Sequence, residues 1–224
     1  MKIIARIRTD FKEKFGIPRQ SGLVDSLRAR IVFEPEYRVR EALRGLEDFS
    51  HLWLIWEFSE AKREDWSPTV RPPRLGGNKR VGVFATRSPF RPNPVGLSSV
   101  KLIGVEHSAA EGDVLIVSGA DLMDGTPIYD IKPYLPFTDS HPDAIGGFAD
   151  EKKEYSAEVI IPDEVAKATP LNRLEEIKEL LAQDPRPSYR DDDEREYGMT
   201  YAGLDISFKA TDNRITVTKI TKAK

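Results

Sequence analysis

Hydrophobic and polar positions alternate over residues 3–8 in the manner of a strand, and the alternation stops in a loop, Phe15-Gly16-Ile17-Pro18-Arg19-Gln20. A second strand is predicted over 29–33, and the spacing over 37–46 predicts a short helix. Leu52-Trp53-Leu54-Ile55-Trp56 is short, aromatic and apolar at each position, which predicts a strand buried on both faces. Further strands fit 81–85, 96–106, 113–118, 127–131 and 155–161. Strands that follow one another with almost no helix between them do not make a β-α-β pattern, so the predicted class is mainly β, a mostly antiparallel barrel or sandwich. The strongest helical signal starts at Thr169-Pro170, a cap residue followed by proline at the first helical position. It carries Leu171, Leu174, Ile177, Leu180 and Leu181 along one face until Asp184-Pro185 stops it. Two strands, 199–209 and 214–220, follow. With that helix they make a small α+β unit, so the chain divides into residues 1–165 and 166–224.

Composition narrows what such a fold can do. At 224 residues, 39% hydrophobic, the chain can bury one sizeable core, or one core and a small appendage, without staples. It has no cysteine, which removes disulfides, thiolate zinc sites and cysteine nucleophiles. Its three histidines, His51, His107 and His141, are scattered singly, so no metal is expected. The opening MKIIARIRTD has none of the apolar run of a signal peptide, and the longest apolar run is far too short to cross a bilayer, so a cytoplasmic protein without membrane contact is expected.

Charge changes the picture more. The net value is −3, but residues 1–101 hold 20 Lys and Arg against 12 Asp and Glu, whereas residues 102–224 hold 14 against 25. No acid occurs between Asp65 and Glu106, a stretch that contains Arg71, Arg74, Lys79, Arg80, Arg87, Arg91 and Lys101. Prolines stiffen this backbone, glycines allow close approach, and arginines offer planar donor forks to carboxylate or phosphate. The stretch reads as preformed anion-binding loops or as a solvated, proline-stiffened surface. A second cluster places Asp121, Asp124 and Asp130 three and six apart. Asp124-Gly125 is a hairpin-turn signal; alternatively, carboxylates at a strand end beside a cationic loop hold an amine or serve as a base. Trp53 and Trp56 read as core, His51 as a structural histidine, and Arg19 and Gln20 as polar loop residues. No dinucleotide fingerprint, phosphate-binding loop or Ser/His/Asp arrangement is present.

Taken in order, Pro18-Arg19-Gln20, Arg71-Pro-Pro-Arg-Leu-Gly-Gly-Asn78, Gly82-Val-Phe-Ala-Thr-Arg-Ser-Pro-Phe-Arg-Pro-Asn-Pro94, Asp121-Leu-Met-Asp-Gly-Thr-Pro127, Asp130-Ile-Lys-Pro-Tyr-Leu-Pro136 and Asp184-Pro-Arg-Pro-Ser-Tyr189 resemble the TrmO family. The resemblance spans nearly the whole chain. It implies a single-sheet β-barrel with a small C-terminal domain, a homodimer, and an S-adenosylmethionine-dependent methyltransferase. Its substrate would be N6 of threonylcarbamoyladenosine at position 37, in the anticodon loop of tRNA. Carried over, the cofactor contacts fall on Pro18, Arg19, Gln20, Arg87, Leu97 and the segment Asp121, Leu122, Met123 and Asp124. The family's pair after the apolar strand falls on Ser59 and Glu60, in place of His-Gln. Asp124 or Asp121 is the expected base, and Arg71, Arg74, Lys79, Arg80, Arg91 and Arg186 the expected tRNA contacts. A non-catalytic RNA-binding barrel, or a methyltransferase of this fold with another substrate, are the alternatives.

Overall fold

The computed structural model describes residues 1–61, 65–72, 79–152, 155–167, 169–186 and 195–223. Six strands form one continuous ring: β1 (Ala5–Arg8), β2 (Arg28–Phe33), β3 (His51–Glu57), β6 (Val95–Ser108), β7 (Gly112–Ser118) and β8 (Pro127–Pro133). Their order is β1-β2-β7-β6-β3-β8, and β1 also pairs with β8, so the sheet closes as a barrel. Every pairing in the ring is antiparallel. Closure leaves no edge strand open to another chain. A two-stranded ladder, β4 (Thr69–Val70) with β5 (Val81–Gly82), stands outside the ring.

The period-2 pattern explains the packing. Ala5 and Ile7, Leu52 and Leu54, Val100, Leu115, Val117 and Ile128 fill the ring with almost no exposed surface. Each fully buried Leu or Ile of this kind contributes about 1.5–3 kcal/mol of transfer free energy. In β3 only one face is inward: Leu52, Leu54 and Trp56 are buried, while Trp53 and Ile55 are half-buried. The expectation of a strand buried on both faces is therefore corrected. Trp53 tolerates the outer face because its indole N–H donates to Asp139 Oδ2 at 2.8 Å.

A second core lies beside the ring. The strands β9 (Glu158–Ile160), β10 (Glu196–Tyr201), β11 (Leu204–Thr211) and β12 (Arg214–Lys222) form a sheet of order β10-β11-β12-β9. Two short helices, α1 (Pro136–Asp139) and α2 (Asp163–Ala166), precede the longer α3 (Leu171–Ala182). Helix α3 sends Ile177, Leu180 and Leu181 into this core, among Tyr201, Phe208 and Val217. Phe11, Val24 and Leu27, from the loop joining β1 to β2, are buried in the same core. Arg173 Nη1 meets Asp10 Oδ2 at 3.0 Å, and the Ala202 amide donates to the Asp10 carbonyl at 3.2 Å. The loop 9–27 is thus the seam between the two cores.

Several local expectations change. The region 37–46 is broken into 3-10 turns at Pro35–Tyr37, Arg40–Leu43 and Leu46–Asp48: the chain is non-helical at Arg38 and extended at Val39, and Gly45 adopts the left-handed conformation (φ 83°) before the third turn. The strand expected over 81–85 stops at Gly82 and becomes a 3-10 turn, Val83–Ala85. The strand expected over 199–209 folds back as a hairpin at Ala202-Gly203, both with positive φ, as a two-residue primed turn requires. Pro170 occupies the cap position of α3 rather than its first helical turn, and Leu171 remains 80% exposed.

Candidate active site

At one rim of the barrel, where β3 ends and β6 and β8 begin, the loops after β1 and β7 close around a cavity of about 580 Å³. That volume falls in the range of small-molecule and cofactor sites. Trp56, Phe58, Leu97, Leu122 and Met123 give it apolar walls, and Asp121, Glu57 and Glu60 give it acids. Arg19, Gln20, Arg87 and Arg91 add donors to its lining.

The register of β3 on β6 builds the floor. Trp56 faces Gly96 and Leu54 faces Ser98 across the ladder. A Cβ on residue 96 would lie 2.3 Å from the Trp56 ring, so glycine is what lets the indole lie over β6. The Trp56 indole N–H donates to Ser98 Oγ at 2.9 Å, and the Ser98 hydroxyl donates to Asp121 Oδ1 at 2.6 Å. Burial pushes the Asp121 carboxyl above the ordinary carboxylate range, against hydrogen bonds from Ser98 and backbone and the nearby charge of Arg87. Trp56 therefore belongs to the core and to the cavity at once. Sequence reasoning missed Ser98 and Gly96. The available signal was a glycine and a serine at positions 96 and 98, in phase with the buried Val100 and Leu102, with the glycine opposite a tryptophan.

Asp124, three residues beyond Asp121, points elsewhere. Its carboxylate accepts from the Thr9 amide at 3.1 Å and from Lys12 Nζ at 2.6 Å, and it does not line the cavity. With the Asp124 amide donating to the Phe11 carbonyl at 2.8 Å, this aspartate pins the start of the loop 9–27 to the turn before β8. Further along that loop, the Gly22 amide donates to the Gly119 carbonyl at 2.9 Å.

Pro18, Arg19 and Gln20 stand on the cavity wall. The Gln20 side-chain carbonyl accepts from the Arg87 guanidinium, joining the two loops across the site. Arg19 Nη2 donates to the carbonyls of Asp184 at 3.0 Å and Arg186 at 3.1 Å, so this wall is tied to the end of α3. There Arg186 grips Asp184 through two guanidinium nitrogens, at 2.8 and 2.9 Å, and also reaches the Asp212 carbonyl at 2.9 Å. Although burial works against its charge, the Arg186 guanidinium and the Tyr155 hydroxyl hold the Asp184 carboxyl below its usual range.

Of the positions expected to hold a cofactor, the fold brings Pro18, Arg19, Gln20, Ser59, Glu60, Arg87, Leu97, Asp121, Leu122 and Met123 into one cavity and leaves Asp124 outside it. Among the expected tRNA contacts, Arg91 lines the cavity, with its guanidinium donating to the Thr86 carbonyl at 2.8 Å. Arg71, Lys79 and Arg80 are exposed beyond it, and Arg186 is held internally in the Asp184 pair. Arg74 and the acidic run 191–194 lie outside the described residues.

Residues 6–140 match the tRNA-methyltransferase O N-terminal domain, and residues 154–223 match the TrmO C-terminal domain.

The chain belongs to the TrmO family.

It is 46% identical over 221 residues to the tRNA (adenine(37)-N6)-methyltransferase of Escherichia coli, covering 93% of this chain and 92% of that protein. To the Eikenella corrodens protein of the same name it is 51% identical over 164 residues, 72% of this chain and 90% of the other. The crystal structure of TrmO from Pseudomonas aeruginosa superposes with a TM-score of 0.76 at 35% identity, covering 98% of this chain and 97% of that one. The mainly β architecture expected from the alternating pattern is shared with this TrmO structure.

Proposed function

We propose that this chain is an S-adenosylmethionine-dependent methyltransferase that methylates N6 of threonylcarbamoyladenosine at position 37 of tRNA. The observation that carries the reading is the convergence of Pro18, Arg19, Gln20, Arg87, Leu97 and the 121–123 segment, far apart in sequence, on one cavity. The relatives named above are named tRNA (adenine(37)-N6)-methyltransferases, which supports the methyl transfer and its position.

The residues present suit the cofactor. Acids (Asp121, Glu57, Glu60) match a sulfonium and an ammonium, guanidinium groups match a carboxylate, and Trp56, Phe58 and Leu97 offer apolar surface to an adenine. When bound, S-adenosylmethionine supplies an electrophilic methyl group on a positively charged sulfur.

The chain's own task is placement and one proton. N6 in a threonylcarbamoyl adenosine is a urea-type nitrogen with a delocalised lone pair, so removing its proton favours attack. Of the two aspartates weighed for that role, Asp121 faces the cavity and is assigned as the base. Asp124 is assigned to holding the loop 9–27. Exposed Arg71, Lys79 and Arg80 supply phosphate contacts to the anticodon loop, with Arg91 at the cavity reaching the threonyl carboxylate. In this reading residues 1–165 carry the cofactor site and residues 166–224 buttress it, with β9 (158–160) belonging by sequence to the first and by pairing to the second. The reading further includes a homodimer acting in the cytoplasm. Among the described residues no helix is long and apolar enough to cross a membrane.

The deciding experiment supplies methyl-labelled S-adenosylmethionine with tRNA carrying or lacking the threonylcarbamoyl group. Label is expected at N6 of position 37 in the modified tRNA alone. Label on neither sinks the reading in favour of a binding protein, and equal label on both removes the modified base as the recognised feature.

A further inference from the structure

Beside the cavity, two large aromatic side chains stand in solvent. Phe84 is 72% exposed and Trp66 50% exposed, yet their rings stack with centroids 6.1 Å apart and 29° between planes. The Arg91 guanidinium carbon lies 5.9 Å from the centre of the Phe84 ring. Nothing in the fold requires this arrangement, because the side chain that anchors the segment is Val83, which is 1% exposed.

The pair is nonetheless held firmly. The β4–β5 ladder brings residues 66 and 84 together, the Val83 amide donates to the Pro68 carbonyl at 2.9 Å, and Thr86 Oγ1 donates to the Val83 carbonyl at 2.8 Å. Two residues after Phe84 the chain becomes cavity wall, at Thr86 and Arg87. The segments flanking the same ladder carry exposed Arg71, Lys79 and Arg80, with Asp65 an exposed acid next to Trp66. Preformed aromatic faces on a cationic surface are what unstacked nucleobases of single-stranded RNA bind.

We infer that Trp66 and Phe84 form a stacking platform, at the mouth of the cavity, for a nucleobase flanking the target adenosine. The inference rests on the proposed RNA substrate and names a recognition element of that site. A second copy of this chain would also cover aromatic surface, but the excess of cations on this face, Arg71, Lys79, Arg80 and Arg91 against Asp65, favours a polyanion over an identical, equally cationic face.

The test uses the full chain and a seven-nucleotide single-stranded oligoribonucleotide, read through tryptophan fluorescence, and methyl transfer to modified tRNA. The oligonucleotide is expected to quench emission in the wild type and not in Trp66→Phe. Phe84→Ala weakens its binding about tenfold, the effect of losing one stacked base, and Phe84→Tyr restores it. In methyl transfer, the double variant Trp66→Ala/Phe84→Ala raises KM for tRNA about tenfold or more, while kcat at saturating tRNA and calorimetric binding of S-adenosylmethionine stay at wild-type values. Undiminished quenching in Trp66→Phe, or an unchanged KM for tRNA in the double variant, overturns the platform and leaves the proposed reaction standing. A loss of self-association in the double variant by sedimentation, with oligonucleotide affinity intact, assigns the patch to a contact between copies and likewise overturns it. Quenching that depends on Trp66 in a chain that methylates no tRNA upholds the platform and sinks the reaction.

Discussion

Asp121 is in the cavity because a serine holds it there. Its hydrogen bond from Ser98 favours the charged form, while burial opposes that form and wins, so its carboxyl titrates above the ordinary range. The sign for stability follows: the folded chain holds this proton more tightly than the unfolded chain, so stability falls as pH rises through the ordinary carboxylate value toward the folded one. At neutral pH, denaturant unfolding should show Asp121→Asn no less stable than wild type, and its advantage should shrink as the pH is lowered through that window. Its kcat should drop by about 10²–10⁴, and the acid limb of the kcat profile, displaced upward from the ordinary carboxylate range, should disappear. Gly96→Ala makes the opposite trade: a methyl group against the Trp56 ring should cost about 1–3 kcal/mol in denaturant unfolding. The sequence marked both aspartates and could not rank them, because spacing three apart across a turn leaves open which one faces inward. The hydrogen bonds to Thr9 and Lys12 that turn Asp124 away join residues more than a hundred positions apart.

Among the elements, the strands were legible where period 2 met a closed ring, as in β1, β2, β6 and β7, since one face must be apolar throughout. Reading failed where one or two residues with positive φ overrode the local pattern, Gly45 in the expected helix and Ala202-Gly203 in the expected long strand. It also failed for the loop 9–27, whose buried Phe11, Val24 and Leu27 look like ordinary loop apolars until a partner core is known. The middle of that loop lines the cavity, and the Asp184–Arg186 pair braces it there through Arg19. Arg186→Ala should therefore weaken S-adenosylmethionine binding by about tenfold in calorimetry, the worth of one charge-assisted hydrogen bond, while leaving the salt dependence of tRNA binding unchanged. A phosphate-binding arginine would do the reverse.

At the scale of the whole molecule, the uneven charge is the feature that survived from sequence to fold. Arg71, Lys79 and Arg80 remain exposed on the aromatic side of the cavity, and their removal should lower the slope of log affinity for tRNA against log salt by about 0.7 each. Filter binding across a salt series measures this directly. The seam between the two cores sets a different condition, on the order of synthesis. Phe11, Val24 and Leu27 leave the ribosome well before the helix and strands that bury them, and before the Asp184 and Arg186 carbonyls that hold Arg19. In that interval the ring can close around its own apolar residues, yet the cavity wall at Pro18, Arg19 and Gln20 has nothing to lean on. The cavity wall is braced only once residues 184–186 have been made, so a product released before them would carry a barrel whose cavity lacks that support.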